Sequence, residues 1–249
     1  DMPRSALTRR TALGLAGAAA LTPALARAAQ TDRRQVARRL AETVGRNYQD
    51  PTAAARLSAA ILARLDAGAY APAQADEAFA ALLTADLRAV VADRHMAVAV
   101  NVPPAEQEPS LDPVFSLRQN YGVQSVRRLG GNVGLIELNF APSLSFGDAV
   151  LDRYAAAMAL VADTRALIVD VRAHMGGEPE TIAYFASYLF DRPPFLINSI
   201  RYRTKPTAAF TTTAAPRGGR YGERRPVLVT TSPDTFSGGE ELAYDLQAT

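Results

Sequence analysis

The sequence predicts an α/β protein preceded by a small helical bundle, and three observations carry that prediction. Apolar residues recur at helical spacing from about Thr31 to Ala92 with short links between stripes. From residue 130 onward, strand-like and helix-like stretches alternate, the pattern of a layered α/β architecture. Within that alternation, Ala166-Leu-Ile-Val-Asp-Val171 is a nearly continuous apolar run, as expected of a parallel strand covered on both faces. A chain of 249 residues with 48% apolar and 21% charged residues has enough material for a substantial core and is too apolar for disorder.

Taken in order, Val36, Leu40 and Val44 mark a first helix at i, i+4 spacing. Asp50-Pro51 has the form of an N-cap with proline at the first helical position, ahead of Leu57, Ile61 and Leu65, and Gly68 is a stop. Asp76 is placed as the cap of a third helix carrying Phe79, Leu82, Leu83, Leu87 and Val90. Met96 to Val100 is an apolar strand-like run, and 101–113 is a connector bearing Pro and Glu. Ser125–Leu129 and Val133–Asn139 flank Gly130-Gly131-Asn132, a hairpin signal. A helix over Phe146–Ala162 leads into the Ala166 strand. Another helix from about Pro179 to Phe190 precedes a strand over Phe195–Tyr202. The stretch 204–225, rich in Thr, Arg and Gly, reads as a mobile surface loop. The strand Val227–Thr231 and a helix through Leu242–Gln247 complete the alternation, and no internal repeat is present.

The first 29 residues read as an export signal. Thr8-Arg9-Arg10-Thr11 is a twin-arginine pattern, Ala12 to Ala26 is weakly apolar, and Ala26-Arg27-Ala28 offers small residues at a cleavage site. The stretch is too short, too rich in Ala and too broken by Pro23 for a membrane span. Its removal would take Arg4, Arg9, Arg10, Arg27 and Asp1, leaving 23 basic and 24 acidic residues. The basic pI therefore belongs to the leader, and nucleic acid is excluded as a partner. With no cysteine, the chain has no disulfide, thiolate nucleophile or Cys-type zinc site, which fits a periplasmic or secreted protein stabilised by its core alone. Metal-ligand spacings and phosphate-loop glycine patterns are also missing, so no cofactor is expected.

The candidate chemistry lies at two turns. After the Val227 strand, Ser232-Pro233-Asp234 leads to Thr235-Phe236-Ser237-Gly238-Gly239-Glu240-Glu241 and a helix. A hydroxyl at a strand-to-helix turn sits where the first helical N–H groups lack partners and where the helix dipole favours negative charge. Ser237 is thus the candidate nucleophile. Asp170-Val-Arg-Ala-His174-Met-Gly176-Gly177 ends the most buried-looking strand, at the edge where open α/β sheets bind ligands. Its glycines let backbone N–H groups approach a substrate, and the Gly238 N–H supplies the other half of an oxyanion hole. Among other residues of the chain, His95, at a helix-to-strand junction, and His174 are the only histidines, each with a structural role as its alternative. Glu240 and Glu241 read as first-turn carboxylates, and Ser232 and Thr235 as turn and N-cap residues. A full Gly-x-Ser-x-Gly elbow is absent, since Thr235 stands at its first glycine.

These motifs resemble the C-terminal-processing (tail-specific) serine peptidase family. The likeness is carried by Asp170-Val-Arg-x-x-x-Gly176-Gly177 and by Thr231-Ser-Pro-Asp-Thr-Phe-Ser237-Gly-Gly-Glu-Glu-Leu-Ala-Tyr. Asp86-Leu-Arg…Asp93-Arg-His95-Met-x-Val98 is similar to the N-terminal helical domain of the branch containing interphotoreceptor retinoid-binding protein. The resemblance implies a crotonase-like core over 101–249, after the signal at 1–29 and the helical domain at 30–100. It also implies Ser237 as nucleophile with the Gly176 and Gly238 N–H groups as oxyanion hole. For the base, the family offers either a downstream lysine or a histidine at the position matching His95. The sole lysine, Lys205, lies upstream of the serine, and the His95 arrangement is preferred.

The sequence departs from the family at His174, where an asparagine is usual. Between Val100 and the Gly130 hairpin there is no room for a PDZ domain, so tail-specific recognition is not expected. The chain ends inside the helix after Ser237, so the core is expected to be incomplete, with apolar faces left for self-association. The functional expectation is an exported serine endopeptidase acting on peptides or proteins. The alternative is a non-catalytic binder of a retinoid or fatty acid.

Overall fold

The structure is a computed structural model that describes residues 18–73, 75–100, 109–203 and 205–249. It divides into two compact units, up to Asn101 and from Val102 onward. The twin-arginine motif lies outside the described residues, and Ala26-Arg27-Ala28 falls within a continuous helix. Among the described residues no helix is long and apolar enough to cross a membrane.

The first unit contains helices α1 (Ala18–Asn47), α2 (Pro51–Asp66) and α3 (Asp76–Val90). Asp50 caps α2 as expected, accepting the N–H groups of Thr52 (2.7 Å) and Ala53 (3.3 Å), with Pro51 at the first position. At the other end Gly68 takes φ 72, and the Gly68 N–H to Leu65 and Ala69 N–H to Arg64 bonds form a Schellman motif. Leu57, Ile61, Leu65, Leu83 and Leu87 are buried with Ala37, Ala41 and Val44.

Three expectations for this unit are corrected. Val36 is exposed, because small Ala37 and Ala41 form the buried stripe of α1 where α2 approaches. Asp76 is not the cap of α3; Ala75 occupies that position, and the Asp76 carboxylate instead pairs with Arg33 at 2.8 Å. Met96–Val100 is not a strand. Its backbone is held by side chains of α3: Thr84 Oγ1 accepts the Val98 N–H (2.9 Å) and the Arg88 guanidinium donates to the Met96 carbonyl (2.9 Å). A helix thus satisfies groups that a neighbouring strand would otherwise pair.

In the second unit a 3₁₀ turn at Pro109–Leu111 precedes α4 (Pro113–Arg118), capped by Asp112. Then follow β1 (Val123–Leu129), β2 (Val133–Leu138), α5 (Asp148–Val161), β3 (Ala166–Asp170), α6 (Pro179–Ala186), β4 (Leu196–Ile200), β5 (Ala208–Thr211), β6 (Val227–Thr230) and α7 (Gly238–Ala248). The main sheet has the order β1-β2-β3-β6. The hairpin pairs Leu129 with Val133 antiparallel, whereas β3 runs parallel to both β2 and β6. Flanked by β2 and β6, β3 buries Leu167 and Val169 fully on one face, while Ala166 and Ile168 on the other are only partly buried, so the expected cover on both faces is incomplete. Val150, Tyr154 and Val161 of α5, Phe185 of α6 and Leu242 of α7 share this core.

The stretch expected as a mobile loop is not a loose one over its described residues 205–225. Its β5 pairs antiparallel with β4 in a second, two-stranded sheet, and Phe210, Thr212 and Tyr221 are buried. The Tyr221 N–H donates to the Tyr188 carbonyl at 2.7 Å, and Arg225 lies 3.7 Å above the Tyr221 ring. Arg220 donates to the carbonyls of Phe190 and Thr213. Arginines that look solvent-seeking in sequence here satisfy backbone oxygens of packed turns.

Candidate active site

Both turns picked out in the sequence leave the C-terminal ends of neighbouring parallel strands, β3 and β6. That neighbourhood is where helix-opening N–H groups and substrate can meet. The β3 turn opens at Asp170, 7% exposed, which accepts the Arg172 N–H and a bidentate contact from its guanidinium (3.0 and 2.7 Å). The Arg172 hydrogen bonds outweigh burial and hold the Asp170 carboxyl below its ordinary pKa. The chain is then pinned to the segment after β2: Met175 N–H donates to Asn139 (2.7 Å), Ala141 N–H to Gly176 (2.9 Å), and Glu178 N–H to Ala141 (2.9 Å).

Glycine is required twice here. Gly177 has φ 129, and a Cβ on it would lie 2.0 Å from the Ala141 carbonyl oxygen. Gly176 has φ 101, and a Cβ there would come within 2.8 Å of the Ser237 Cβ. The approach of Ser237 to Gly176 is therefore possible only with a bare backbone.

Three hydrogen bonds tie the second turn to the first, and a fourth closes the second turn on itself. Ser232 Oγ donates to the Arg172 carbonyl (2.6 Å) and Thr235 Oγ1 to the Val171 carbonyl (2.9 Å). The Ser232 N–H donates to Thr235 Oγ1 (2.9 Å), and the Phe236 N–H to the His174 carbonyl (2.9 Å). Thr235 is therefore a buried clamp rather than the N-cap, a position held by Ser237. Ser237 adopts φ 52, ψ −115, in the region that L side chains rarely enter. Its N–H donates to the Glu240 carboxylate at 2.9 Å, the first-turn role expected of that residue.

His174 lies fully buried between the turns. Burial lowers its pKa to about 4, so the ring is neutral near pH 7. Its Nδ1 accepts the Gly176 N–H at 3.0 Å, while Nε2 is buried without a hydrogen-bond partner. Gly239 packs on the ring, where a Cβ would stand 2.7 Å from the His174 Cβ. The Gly176 N–H, expected to face an oxyanion, is thus committed to His174. Among the described residues the N–H groups of Gly177 and Gly238 make no hydrogen bond, and the Gly177 nitrogen lies 3.4 Å from the position of a Gly238 Cβ. The departure at His174 was the sequence signal for this contact.

His95 belongs to the first unit. It is exposed in the turn after α3, and Asp93 Oδ1 lies 2.9 Å from its Nδ1 and accepts its backbone N–H at 2.9 Å. Tyr48 donates to the other Asp93 oxygen at 3.2 Å. Burial raises the Asp93 pKa, but the hydrogen bonds from His95 and Tyr48 outweigh it and the net shift is downward. A carboxylate orienting an imidazole is the arrangement of a positioned base. The Asp-x-His spacing was visible in the sequence, but its pairing was not read. Lys205 has its ammonium 5.9 Å from the Tyr202 ring centre.

An α/β unit with two clamped turns, following a helical unit, defines the class of protein, and sequence comparison supplies the family. Residues 20–125 match the profile of the N-terminal domain of S41 peptidases in eukaryotic IRBP, and residues 132–249 match peptidase family S41. The chain belongs to this family. Among solved structures it is similar to a candidate peptidase from Parabacteroides merdae at 17% identity and TM-score 0.48, covering 70% of this chain and 59% of that one. It is also similar to a lipoprotein from Streptococcus agalactiae at 12% identity and TM-score 0.49, covering 87% of this chain and 73% of that one. The photosystem II D1 C-terminal processing protease shares 20% identity at TM-score 0.34, covering 48% of this chain and 30% of that one. The chain thus spans 59% of the length of the Parabacteroides merdae protein.

Proposed function

We propose that this chain carries the site of an exported serine endopeptidase with a crotonase-like core, acting on peptides or proteins through an acyl-enzyme on Ser237. The observation that carries the reading is the strained Ser237 at φ 52, set against the side-chain-free Gly176 at the mouth of two parallel strands. Ser237 Oγ attacks the peptide carbonyl while His95, oriented by Asp93, takes the hydroxyl proton. The tetrahedral oxyanion is held by the Gly238 N–H and by the Gly176-Gly177 turn, whose open donor is the Gly177 N–H. His95 then returns the proton to the leaving amine, the C–N bond breaks, and water hydrolyses the Ser237 ester by the same steps in reverse. The helical domain at 30–100, the peptidase core at 101–249 and export through the twin-arginine leader complete this reading.

Incubation of the full chain with a fluorophosphonate probe is expected to label wild type on Ser237, and Ser237→Ala is expected to abolish both labelling and peptide hydrolysis. Equal labelling of the two proteins would overturn the assignment. Tight binding of a retinoid or fatty acid with no acylation of Ser237 would point to a non-catalytic binder instead.

A further inference from the structure

We propose that His174 is a positioning residue that decides which amide of the Gly176-Gly177 turn is presented beside Gly238. The inference rests on the reading of Ser237 as nucleophile. Its geometric basis stands separately. A backbone N–H can only donate, so the 3.0 Å contact from Gly176 makes Nδ1 the unprotonated acceptor and puts the ring proton on Nε2. That tautomer leaves a buried donor without a partner, a cost that a ring kept only for packing would not carry.

The ring is packed on one side and its backbone is anchored. Gly239 covers one side so closely that a Cβ would lie 2.9 Å from both Cγ and Nδ1, and the His174 backbone is fixed at both its N–H (to Val171, 3.0 Å) and its carbonyl (from Phe236, 2.9 Å). Phe236 precedes the nucleophile, so one residue ties the Gly176 peptide and the Ser237 backbone to a common anchor. With the Gly176 N–H captured inward, the following peptide at φ 129 carries the open N–H, that of Gly177. The opposite tautomer would place two N–H groups against each other and force the Gly176 peptide to rotate.

Long-range ¹⁵N–¹H spectra of the full chain at neutral pH are expected to show the Nε2–H tautomer for His174, and an Nδ1–H tautomer would overturn the proposal. His174→Leu, which removes the acceptor, is expected to slow fluorophosphonate acylation of Ser237 by about 100-fold, the scale of losing one oxyanion donor. His174→Asn and His174→Gln, which restore a side-chain oxygen, are expected to recover a large share of that loss. A folded His174→Leu that acylates at the wild-type rate would sink the idea. Should that variant fail to fold, Asn and Gln variants no faster than His174→Ala would do the same. A wild-type protein that the probe does not label counts against Ser237 as nucleophile, and the tautomer then remains the test of the ring geometry.

Discussion

Ser237 holds φ 52 and ψ −115 although its neighbours Gly238 and Gly239 would accept that conformation more readily. Such a conformation costs a residue with a side chain on the order of 1–3 kcal/mol, and it persists because the surrounding hydrogen bonds over-determine the turn. The strain makes a prediction that separates function from stability. Ser237→Gly is expected to stabilise the chain by about 1 kcal/mol in urea unfolding while eliminating acylation. Ser237→Ala should eliminate acylation with no such gain. A Ser237→Gly variant less stable than Ser237→Ala would show that the backbone of residue 237 is relaxed.

At the scale of elements, short polar signals set where helices begin. Asp50-Pro51 and Asp112-Pro113 are the same device, an aspartate accepting two helical N–H groups ahead of a proline at the first position. The first was read from sequence and the second was missed inside a connector, although the dipeptide is identical. Asp50→Ala is expected to cost about 1 kcal/mol of stability, read as a lower thermal midpoint followed by circular dichroism. Asp76 shows the limit of the rule, since a carboxylate one residue inside its helix was better used in pairing with Arg33. Helix α7 carries a different feature on its inner face. Asp245, 2% exposed, has one carboxylate oxygen without a hydrogen bond, one turn after Glu241. Glu241 itself is pushed above its ordinary pKa by burial, and the Asn198 amide that donates to it at 2.9 Å only partly offsets this.

For the whole molecule, Asp245 and His174 act on stability in opposite directions as pH changes. Burial and the Glu241 charge raise the Asp245 pKa to about 7, so the folded state holds a proton that the unfolded chain has released. That contribution is fully present below about pH 4 and is lost as pH rises toward 7. His174 is lowered to about 4, so the unfolded chain binds a proton that the folded state lacks between about pH 4 and 6.5. Its contribution is present above that window and lost as pH falls through it. The two slopes therefore oppose each other in wild type. Asp245→Asn is expected to unmask a stability that rises on the order of 1–3 kcal/mol from about pH 4 to 6.5, measured by urea unfolding at each pH. An unchanged pH profile would show that Asp245 stays charged in the folded chain.

The sequence by itself determined the α/β class, the helical region before it, the hairpin, the interior strand β3 and the place of both candidate turns. These are encoded by local periodicity, by Asp-Pro and Gly signals and by apolar runs, all legible within a few residues. Tertiary structure alone decided the packing of Phe210, Thr212 and Tyr221, the fate of Met96–Val100 and the partner of the Gly176 N–H. Each of those depends on which distant group meets a backbone donor or acceptor: Tyr188 for Tyr221, Thr84 for Val98, and the buried ring of His174 for the glycine beside Ser237. Hydrogen-bond partners across space leave no period in the sequence, because a buried polar group must be satisfied by whatever the fold brings near it.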